Sequence, residues 1–182
     1  MNNVIVRSAN GNDAEQLLEI YGYYVRNTAI TFEYEVPSLQ EFEQRILKTL
    51  QKYPYLILEQ EGKILGYAYT GPLKERAAYG WSSEVTIYLA ATARKCGYGR
   101  MLHEALEKEM KNRGFLNLYA CIAYPETEDE YLTKNSVQFH EHLGYKMVGK
   151  FSNCGYKFER WYHMVWMEKI IGEHKKIVSP VK

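Results

Sequence analysis

The segment SEVTIYLAATARKCGYGRMLHEALEKEM, residues 83–110, joins a strand pattern, a glycine-containing loop and a helix pattern in that order. Residues 83–89 alternate between two faces, which predicts a β-strand. Apolar side chains then recur at helical spacing from Met101 to Met110, and Gly114 follows as a helix-ending glycine. The pattern therefore predicts a helix whose first turn lies at a glycine loop, just after a strand.

Further strands and helices are predicted on both sides of this unit. The strands cover residues 4–8, 55–60, 64–69, 116–122, 145–151 and 161–170. Two helices follow capping patterns at residues 12–15 and 38–41, and a third covers residues 136–143. The predicted order is β-α-α-β-β-β-α-β-α-β-β.

One domain accounts for this pattern. A chain of 182 residues, 46% hydrophobic and 25% charged, is long enough for one well-covered core. No internal repeat and no linker rich in Gly, Ser or Pro divides it. We therefore predict a single domain over residues 1–170 and a frayed tail over residues 171–182, where no apolar period continues.

The charge balance favours a small-molecule partner. With 23 Lys plus Arg against 22 Asp plus Glu, the formal net charge is +1, so no positive field would hold nucleic acid or an anionic membrane. No run approaches the roughly 18 apolar residues of a membrane span, and the first residues lack the apolar part of a signal peptide. The 17 tyrosines fit either a stacked binding site or a core and dimer surface built from amphipathic rings.

The three cysteines predict neither a disulfide framework nor a metal site. Cys96, Cys121 and Cys154 are odd in number, far apart and without C-x-x-C spacing, so we expect a reducing cytoplasm and no metal. Cys121 lies on an apolar strand, where a buried and inert thiol is expected. Since Cys96 belongs to the glycine loop, neither is expected to act as a covalent nucleophile.

The glycine loop, residues 94–99, has the features of an anion site. Gly97 and Gly99 let main-chain N–H groups approach a ligand, and the following helix adds the positive end of its dipole. Three cationic side chains flank the loop, namely Arg94, Lys95 and Arg100. The same glycines also suit a tight turn or close helix–strand packing without a ligand. The loop is neither a Walker loop nor a dinucleotide fingerprint, because no G-K-[ST] follows and Leu102 stands at the third glycine position.

The motif Arg94-x-x-Gly97-x-Gly99 matches the R/Q-x-x-G-x-G/A signature, and the chain resembles the GNAT superfamily of acetyltransferases. Within it, the chain is similar to phosphinothricin acetyltransferases and related amino-acid N-acetyltransferases over roughly residues 4–170. The similar stretches are Thr31-Phe32-Glu33, Tyr53-Pro54, GYAYTGP at residues 66–72, AYGWSSEVTIY at residues 78–88 and HEHLGY at residues 140–145. The resemblance implies a GNAT fold, which is an α/β (α+β) arrangement of a central mixed, mostly antiparallel β-sheet flanked by helices. It also implies acetyl transfer from acetyl-CoA to the amino group of a small amino acid or analogue, by direct attack in a ternary complex.

The resemblance assigns acetyl-CoA to the glycine loop and to the strand before it. In the family, the loop and its helix hold the pyrophosphate, while the strand's main chain pairs with the pantetheine arm and directs one N–H at the oxyanion. The matching residues are Ile87, Tyr88, Leu89, Arg94, Lys95, Cys96, Gly97, Tyr98, Gly99 and Arg100. The acidic segment at residues 126–133 is longer than in typical relatives, where an asparagine often contacts pantetheine. Thr133 and Asn135 are the candidates for that contact, and Asn135 is the preferred amide donor.

Two side chains match catalytic positions of the family. Glu84 matches the general base, which has a defined task because an amino group near neutral pH must lose a proton before its nitrogen attacks a thioester. Read by itself, a lone Glu near a strand start also fits a solvated edge residue. His140 stands where many members have a tyrosine that protonates the leaving thiolate, so it is a candidate acid. The alternatives for His140 are a hydrogen bond to coenzyme A or a local cap, since a thiol of pKa about 8.5 is a tolerable leaving group unaided.

The loop over residues 72–81 supplies substrate contacts in the family. Here Lys74 and Arg76 are candidates for binding a carboxylate, and Arg76 is favoured because a guanidinium binds it bidentately. Lys74 fits a solvated surface equally well. The candidate aromatic walls are Tyr79 and Trp81. Phe32 matches a position that closes over the substrate side chain, although an aromatic residue there also suits an ordinary core.

Two other functions fit the same sequence. The acceptor in the first is a polyamine, an antibiotic amine or a protein amino group, although Lys74 and Arg76 disfavour a polycation. The second is a coenzyme-A-binding module without turnover, which the presence of Glu84 disfavours. Family members are commonly homodimers, and the aromatic strands over residues 156–166 are the candidate contact.

Overall fold

The computed structural model describes residues 4–94 and 96–181. Within this part of the chain, the strands are β1 Val4–Ser8, β2 Tyr55–Gln60, β3 Lys63–Pro72, β4 Ser82–Leu89, β5 Asn117–Tyr124, β6 Lys146–Lys157 and β7 Arg160–Ile170. The α-helices are α1 Ala14–Asn27, α2 Leu39–Leu50, α3 Tyr98–Arg113 and α4 Asn135–His142. Short 3-10 turns lie at Gly11–Asp13, Ala77–Tyr79 and Ala91–Ala93. The predicted order of strands and helices is confirmed.

All seven strands belong to one sheet, in the order β1-β2-β3-β4-β5-β7-β6. Neighbouring strands are antiparallel, apart from the parallel pair β4 and β5. A parallel pair needs a crossover connection, and α3 provides it. The predicted mixed, mostly antiparallel sheet flanked by helices is therefore confirmed.

The helices cover the sheet on both faces, and each face has its own core. Leu102 and Leu106 of α3 are buried against one face together with Val85 of β4. Leu17 of α1 is buried against the other face, where Tyr88 of β4 packs. Because consecutive strand residues point to opposite faces, β4 contributes to both cores. The alternation predicted for residues 83–89 is thus present.

Side chains cap the start of α2 and the start of the 3-10 turn that leads into α1. Ser38 caps α2 as predicted, since its hydroxyl accepts the Glu41 N–H at 3.2 Å. The first capping box lies earlier than predicted, because a 3-10 turn precedes α1. There the Asn10 N–H donates to the Asp13 carboxylate at 2.8 Å, and the Asn10 side chain accepts a main-chain N–H in return.

The described part of the tail, residues 171–181, contains neither helix nor strand. It contacts the domain where the Trp81 indole N–H donates to the Ser179 carbonyl at 2.8 Å and where Val181 packs against the core. Between these contacts and the last strand, Ile177 is 87% exposed. The domain boundary and the fraying of this tail stay predictions.

Candidate active site

The parallel strands β4 and β5 separate soon after they begin. Their pairing is confined to Ser82–Glu84 with Asn117–Tyr119, whereas β4 stays paired with β3 as far as Leu89. The Trp81 carbonyl accepts N–H groups at the start of β5. Main-chain N–H and C=O groups alternate in direction along a strand, so those of the odd-numbered residues of β4 point toward β5. Beyond Glu84 the N–H groups of Ile87 and Leu89 face a gap, where an extended ligand can pair with them, whereas the Leu89 carbonyl accepts a hydrogen bond from the Tyr24 hydroxyl at 2.6 Å.

A cavity of about 750 Å³ follows this gap and continues beneath α1 and α2. A volume of this size is typical of small-molecule sites. The predicted site residues that line it are Phe32, Glu84, Ile87, Tyr88, Leu89, Arg94, Gly99, Asn135 and His140, and Thr133 joins them. The fold thus brings together residues from four separate parts of the sequence.

The glycine loop opens α3 beside the same cavity. Gly97 is the N-cap and has a φ of 80°, the left-handed region where glycine is favoured. The first N–H groups of α3, from Tyr98 onward, lack intrahelical acceptors, as in any α-helix, and no side chain of the described residues caps them. Gly99 serves close packing, because a β-carbon there would lie 3.1 Å from the Phe139 ring. The two glycines therefore meet different requirements.

The side chains around the loop are placed differently from one another. Arg94 lines the cavity, and its guanidinium carbon lies 5.3 Å from the centre of the Tyr24 ring. Arg100 and Cys96 are exposed and do not line the cavity. The predicted contribution of Lys95 falls outside the described residues. Arg94 is therefore the cation of this loop that faces the cavity within the described part of the chain.

Glu84 is the last residue of β4 that pairs with β5, and its side chain lines the cavity. The side chain is half-buried. Burial raises the pKa of the Glu84 carboxyl above its usual value, while the Lys74 ammonium partly opposes this. No hydrogen bond from another described residue holds the carboxylate. The Glu84 carboxylate therefore binds a proton more readily than an exposed glutamate does. Its oxygen atoms accept no hydrogen bond from the described residues.

A second group of charges in the cavity was missed by sequence reasoning. The Glu33 carboxylate accepts a hydrogen bond from Arg45 at 2.7 Å, and Arg45 also donates to Glu41 at 2.6 Å. Glu33 and Arg45 both line the cavity. Arg45 belongs to the polar side of an amphipathic helix, so nothing in its spacing separates it from a solvated cation. Glu33 does belong to the quoted Thr31-Phe32-Glu33 stretch, which was the available signal.

Stacked tyrosine rings form one wall of the cavity. The Tyr55 ring lies 4.8 Å from Tyr69 and 5.6 Å from Tyr67, and the Tyr67 ring lies 5.4 Å from Tyr88. All four residues line the cavity, and Tyr55 and Tyr67 also belong to the core beneath α1 and α2. Burial raises the pKa of Tyr55, Tyr67 and Tyr88 well above the ordinary value, so these hydroxyls stay protonated. The tyrosines therefore serve the core and the cavity at once.

His140 lies on α4 at the opposite wall and is 5% exposed. Its Nδ1 is 2.8 Å from the Ser136 carbonyl, so this nitrogen donates. Its Nε2 is buried and has no hydrogen-bond partner among the described residues. Burial also lowers the pKa of the ring, which is therefore neutral near pH 7 and offers Nε2 as an acceptor.

The five predicted substrate residues separate into two groups. Trp81 belongs to the group outside the cavity, since it is not a lining residue and its indole N–H donates to the Ser179 carbonyl. Phe32 lines the cavity and also packs against Tyr162, with ring centres 6.4 Å apart, so its two predicted roles coexist. Lys74, Arg76 and Tyr79 lie in an exposed segment and are not among the lining residues. Lys74 nevertheless lies close enough to Glu84 to lower its pKa. The structure thus places Lys74, rather than Arg76, near the candidate base.

The expectation that Cys121 is buried is wrong. The residue is exposed and lines the cavity on β5, because β4 has already separated from β5 at this level. Partial burial of the thiol and the nearby Glu84 carboxylate raise the pKa of Cys121 to about 11. The thiol therefore stays protonated at neutral pH, which is unfavourable for a nucleophile.

The acidic segment after β5 is bound to neighbouring groups. Arg160 donates to both oxygens of Glu130 at 2.8 and 2.9 Å, and His163 lies 3.0 Å from Glu126.

Within residues 4–94 and 96–181, no group of three or more His, Cys, Asp or Glu side chains is arranged to hold a metal ion. No helix in the described ranges is both long and apolar enough to cross a membrane.

Known proteins share this architecture. Residues 6–166 match the family profile described as "Acetyltransferase (GNAT) domain". The chain is 31% identical over 166 residues to the phosphinothricin N-acetyltransferase of Streptomyces viridochromogenes, covering 91% of this chain and 87% of that protein. It is 25% identical to the L-methionine sulfoximine/L-methionine sulfone acetyltransferase of Salmonella typhimurium, covering 93% of this chain and 95% of the relative.

A solved structure gives the same result in three dimensions. The crystal structure of a GNAT superfamily phosphinothricin acetyltransferase from Sinorhizobium meliloti, in complex with AcCoA, superimposes with a TM-score of 0.87. Sequence identity is 29%, and the alignment covers 98% of this chain and 94% of that one. Both the sequence and the fold therefore match across nearly the whole length.

Proposed function

The chain belongs to the GNAT family of acetyltransferases and is an acetyl-CoA-dependent N-acetyltransferase, and we propose that its acceptor is the amino group of a small amino acid or analogue. The observation that carries this proposal is the position of Glu84. It stands where β4 separates from β5, with a free carboxylate directed to the cavity and a raised pKa. A group placed in this way is suited to removing a proton from an amine bound beside it.

Acetyl-CoA fits the gap and the start of α3. The N–H groups of Ile87 and Leu89 point into the gap, which suits strand-like pairing with the amide-bearing pantetheine arm. The free N–H groups after Gly97 and the guanidinium of Arg94 suit a pyrophosphate. Asn135 lines the facing wall and is assigned to the arm. Contacts of Cys96, Tyr98 and Arg100 with the cosubstrate stay predictions, as does the contact of Lys95.

The reaction then needs one proton acceptor and one oxyanion donor. Glu84 takes one proton from the acceptor ammonium, directly or through one water. The free amine then forms a C–N bond with the acetyl carbon, the thioester C–S bond breaks, and the nitrogen releases its second proton to solvent. A main-chain N–H of β4 at the gap donates to the developing oxyanion, a contribution on the order of 3 kcal/mol. Substitution of a side chain leaves that donor in place.

His140 is assigned to a hydrogen bond rather than to proton donation. Its lowered pKa and its Nδ1–H bond to Ser136 leave a neutral ring with Nε2 as an acceptor. A leaving thiolate whose conjugate acid has a pKa of about 8.5 takes its proton from solvent without help. The earlier hypothesis of a catalytic acid is thereby disfavoured, and contact with coenzyme A is the alternative retained.

The acceptor's carboxylate is assigned to the Lys74 ammonium, near Glu84. Lys74 is the better-placed anchor because its charge acts on Glu84. Phe32 forms the wall on the acceptor side chain. Arg76 and Tyr79 stay predicted contacts that would require their exposed segment to approach the cavity.

A homodimer is proposed on the far edge of the sheet. β6 is an edge strand, and its apolar side chains Phe151 and Tyr156 are 52% and 44% exposed. Trp161 of the neighbouring strand β7 pairs with Tyr156 and is 62% exposed. An exposed apolar edge of this kind is a common subunit contact. Location in the cytoplasm and the lack of nucleic-acid or membrane partners stay predictions from composition.

The test is release of coenzyme A from acetyl-CoA in the presence of a panel of amines. Phosphinothricin, methionine sulfone and natural amino acids are compared with spermidine, an aminoglycoside and a peptide with a free N-terminus. We expect turnover with one or more of the amino acids or analogues. Turnover confined to the polyamine, the antibiotic or the peptide would replace the proposed acceptor class. Binding of acetyl-CoA without turnover of any amine would support a non-catalytic module.

A further inference from the structure

Lys157, the last residue of β6, carries a buried ammonium group. Its relative exposure is 2%. The Nζ donates to the carbonyls of Val25 at 2.8 Å, Thr28 at 2.9 Å and Thr31 at 2.8 Å. An ammonium group has three protons to donate, so its capacity is fully used. All three acceptors are neutral main-chain oxygens.

The first two acceptors lie at the C-terminal end of α1. The last carbonyls of a helix lack intrahelical donors and carry the negative end of its dipole, so a cation is favoured there. At this end the Ala29 N–H, which would be the helical donor for Val25, donates instead to the Tyr131 carbonyl at 3.0 Å. Lys157 therefore supplies a donor that the helix itself does not provide.

The third acceptor belongs to the loop after α1. This loop, residues 28–33, contributes Ile30, Thr31, Phe32 and Glu33 to the lining of the cavity. One ammonium group thus ties the end of α1 to a segment that forms the cavity wall. Lys157 itself is not among the lining residues, so any influence on a ligand passes through the loop.

Two neighbours of Lys157 on β6 contact the same region. A β-carbon at Gly155 would overlap the Phe32 ring, so the glycine allows that ring to lie directly on the strand. The Tyr34 hydroxyl donates to the Tyr156 carbonyl at 2.5 Å. Three consecutive residues at the end of β6 therefore hold the loop and its continuation.

A buried ammonium that is hydrogen-bonded only to neutral groups is costly, and the Glu33 carboxylate offsets that cost only in part. Methionine would fill the same space without burying a charge. We propose that Lys157 is a positioning residue that fixes the loop over residues 28–33, and Phe32 with it, for binding of the acceptor amine. The role in acceptor binding rests on the proposed function, while the anchoring of the loop does not. Lys157 has no assigned contact with acetyl-CoA, so its effect is specific to one of the two substrates.

The kinetic test compares Lys157→Met with the wild type and with Lys169→Met. Lys169→Met is the matched control, because it makes the same substitution at a lysine away from the loop. The Lys169 ammonium donates to Glu107 of α3 at 2.6 Å. We expect Lys157→Met to raise the KM for the acceptor by about tenfold or more, since a displaced wall misplaces the substrate. The KM for acetyl-CoA is expected to stay within about twofold in both variants. A parallel rise of both KM values would mean general damage and would overturn the proposal.

Hydrogen exchange of the protein without substrates tests the anchoring separately. Peptides covering residues 28–34 are expected to exchange about tenfold faster in Lys157→Met and at the wild-type rate in Lys169→Met. Unchanged exchange overturns the anchoring role. Faster exchange in a protein that acetylates no amine of the panel would support anchoring and refute the acceptor role together with the proposed function.

If Lys157→Met does not fold, Gly155→Ala replaces it. This variant leaves the buried ammonium in place and displaces Phe32 from the same strand. The proposal requires the same selective rise in the acceptor KM. An unchanged acceptor KM in a folded Gly155→Ala protein would count against it.

Discussion

Replacement of Glu84 by glutamine is the most direct perturbation of the candidate site. The amide has nearly the volume of the carboxylate, and no described residue donates a hydrogen bond to Glu84, so little stabilising contact is lost. The strand that carries it is held by main-chain pairing with β3 and β5. We therefore expect a folded protein that lacks one proton acceptor in the cavity.

The expected loss of turnover is about two orders of magnitude, the usual contribution of a general base. A hundredfold loss corresponds to about 2.7 kcal/mol of activation free energy. Affinity for acetyl-CoA is expected to change little, because the groups assigned to it are main-chain N–H groups of β4, the loop at Gly97, Arg94 and Asn135, and Glu84 is not among them. The defect therefore belongs in kcat rather than in the KM for acetyl-CoA.

The assay is kcat/KM for the acceptor as a function of pH. The Glu84 carboxyl has a raised pKa and works as the ionised form, so wild-type activity is retained above that pKa and falls as the pH drops through it. Glu84→Gln is expected to lose this acidic limb. Glu19→Gln, an exposed position on α1, is the control and should leave rate and profile unchanged. Wild-type turnover in Glu84→Gln at neutral pH, or the same acidic limb, would refute the assignment.

Three further substitutions test the glycine loop at Gly99, the buried His103 and the turn at Glu159. Gly99→Ala places a β-carbon 3.1 Å from the Phe139 ring, and we expect the KM for acetyl-CoA to rise about fivefold with the acceptor KM retained. His103 of α3 is 1% exposed, and its Nε2 lies 2.8 Å from the Tyr145 hydroxyl. Burial lowers its pKa to about 4, so the stability from its neutral form is complete above the ordinary value of 6.5 and is lost as the pH falls to 4. Urea unfolding at pH 7 and pH 4 should show about 3 kcal/mol less pH dependence in His103→Phe. Glu159 has a φ of 60° in the turn between β6 and β7, so Glu159→Gly should raise the free energy of unfolding by about 1 kcal/mol, and unaltered urea denaturation would contradict this.

Local sequence patterns predicted the strands and helices because their apolar spacing is a property of each segment. The alternation in residues 83–89 and the helical repeat before Gly114 appear in the structure at nearly the predicted bounds. The separation of β4 from β5 depends on how distant segments pair, so no local sequence pattern predicts it. For this reason the exposure of Cys121 to a cavity was not predicted.

The candidate site was predictable where a motif carried it and not elsewhere. Glu84 and the glycine loop were found through the resemblance to a family. Arg45 on the polar side of α2 and Lys157 on an edge strand each look like solvated cations in sequence. Their surroundings are set by loops that fold back from other parts of the chain, which a local pattern does not record.

The sheet is joined at its middle by a short seam. Three residue pairs connect the half built from β1 to β4 with the half built from β5 to β7. A ligand laid along the unpaired length of β4 takes the place that a missing strand would occupy, so the substrate completes the architecture of the enzyme. Protein stability and supply of the acyl donor are then thermodynamically linked, because any molecule that binds only the folded form stabilises it in proportion to the logarithm of its concentration.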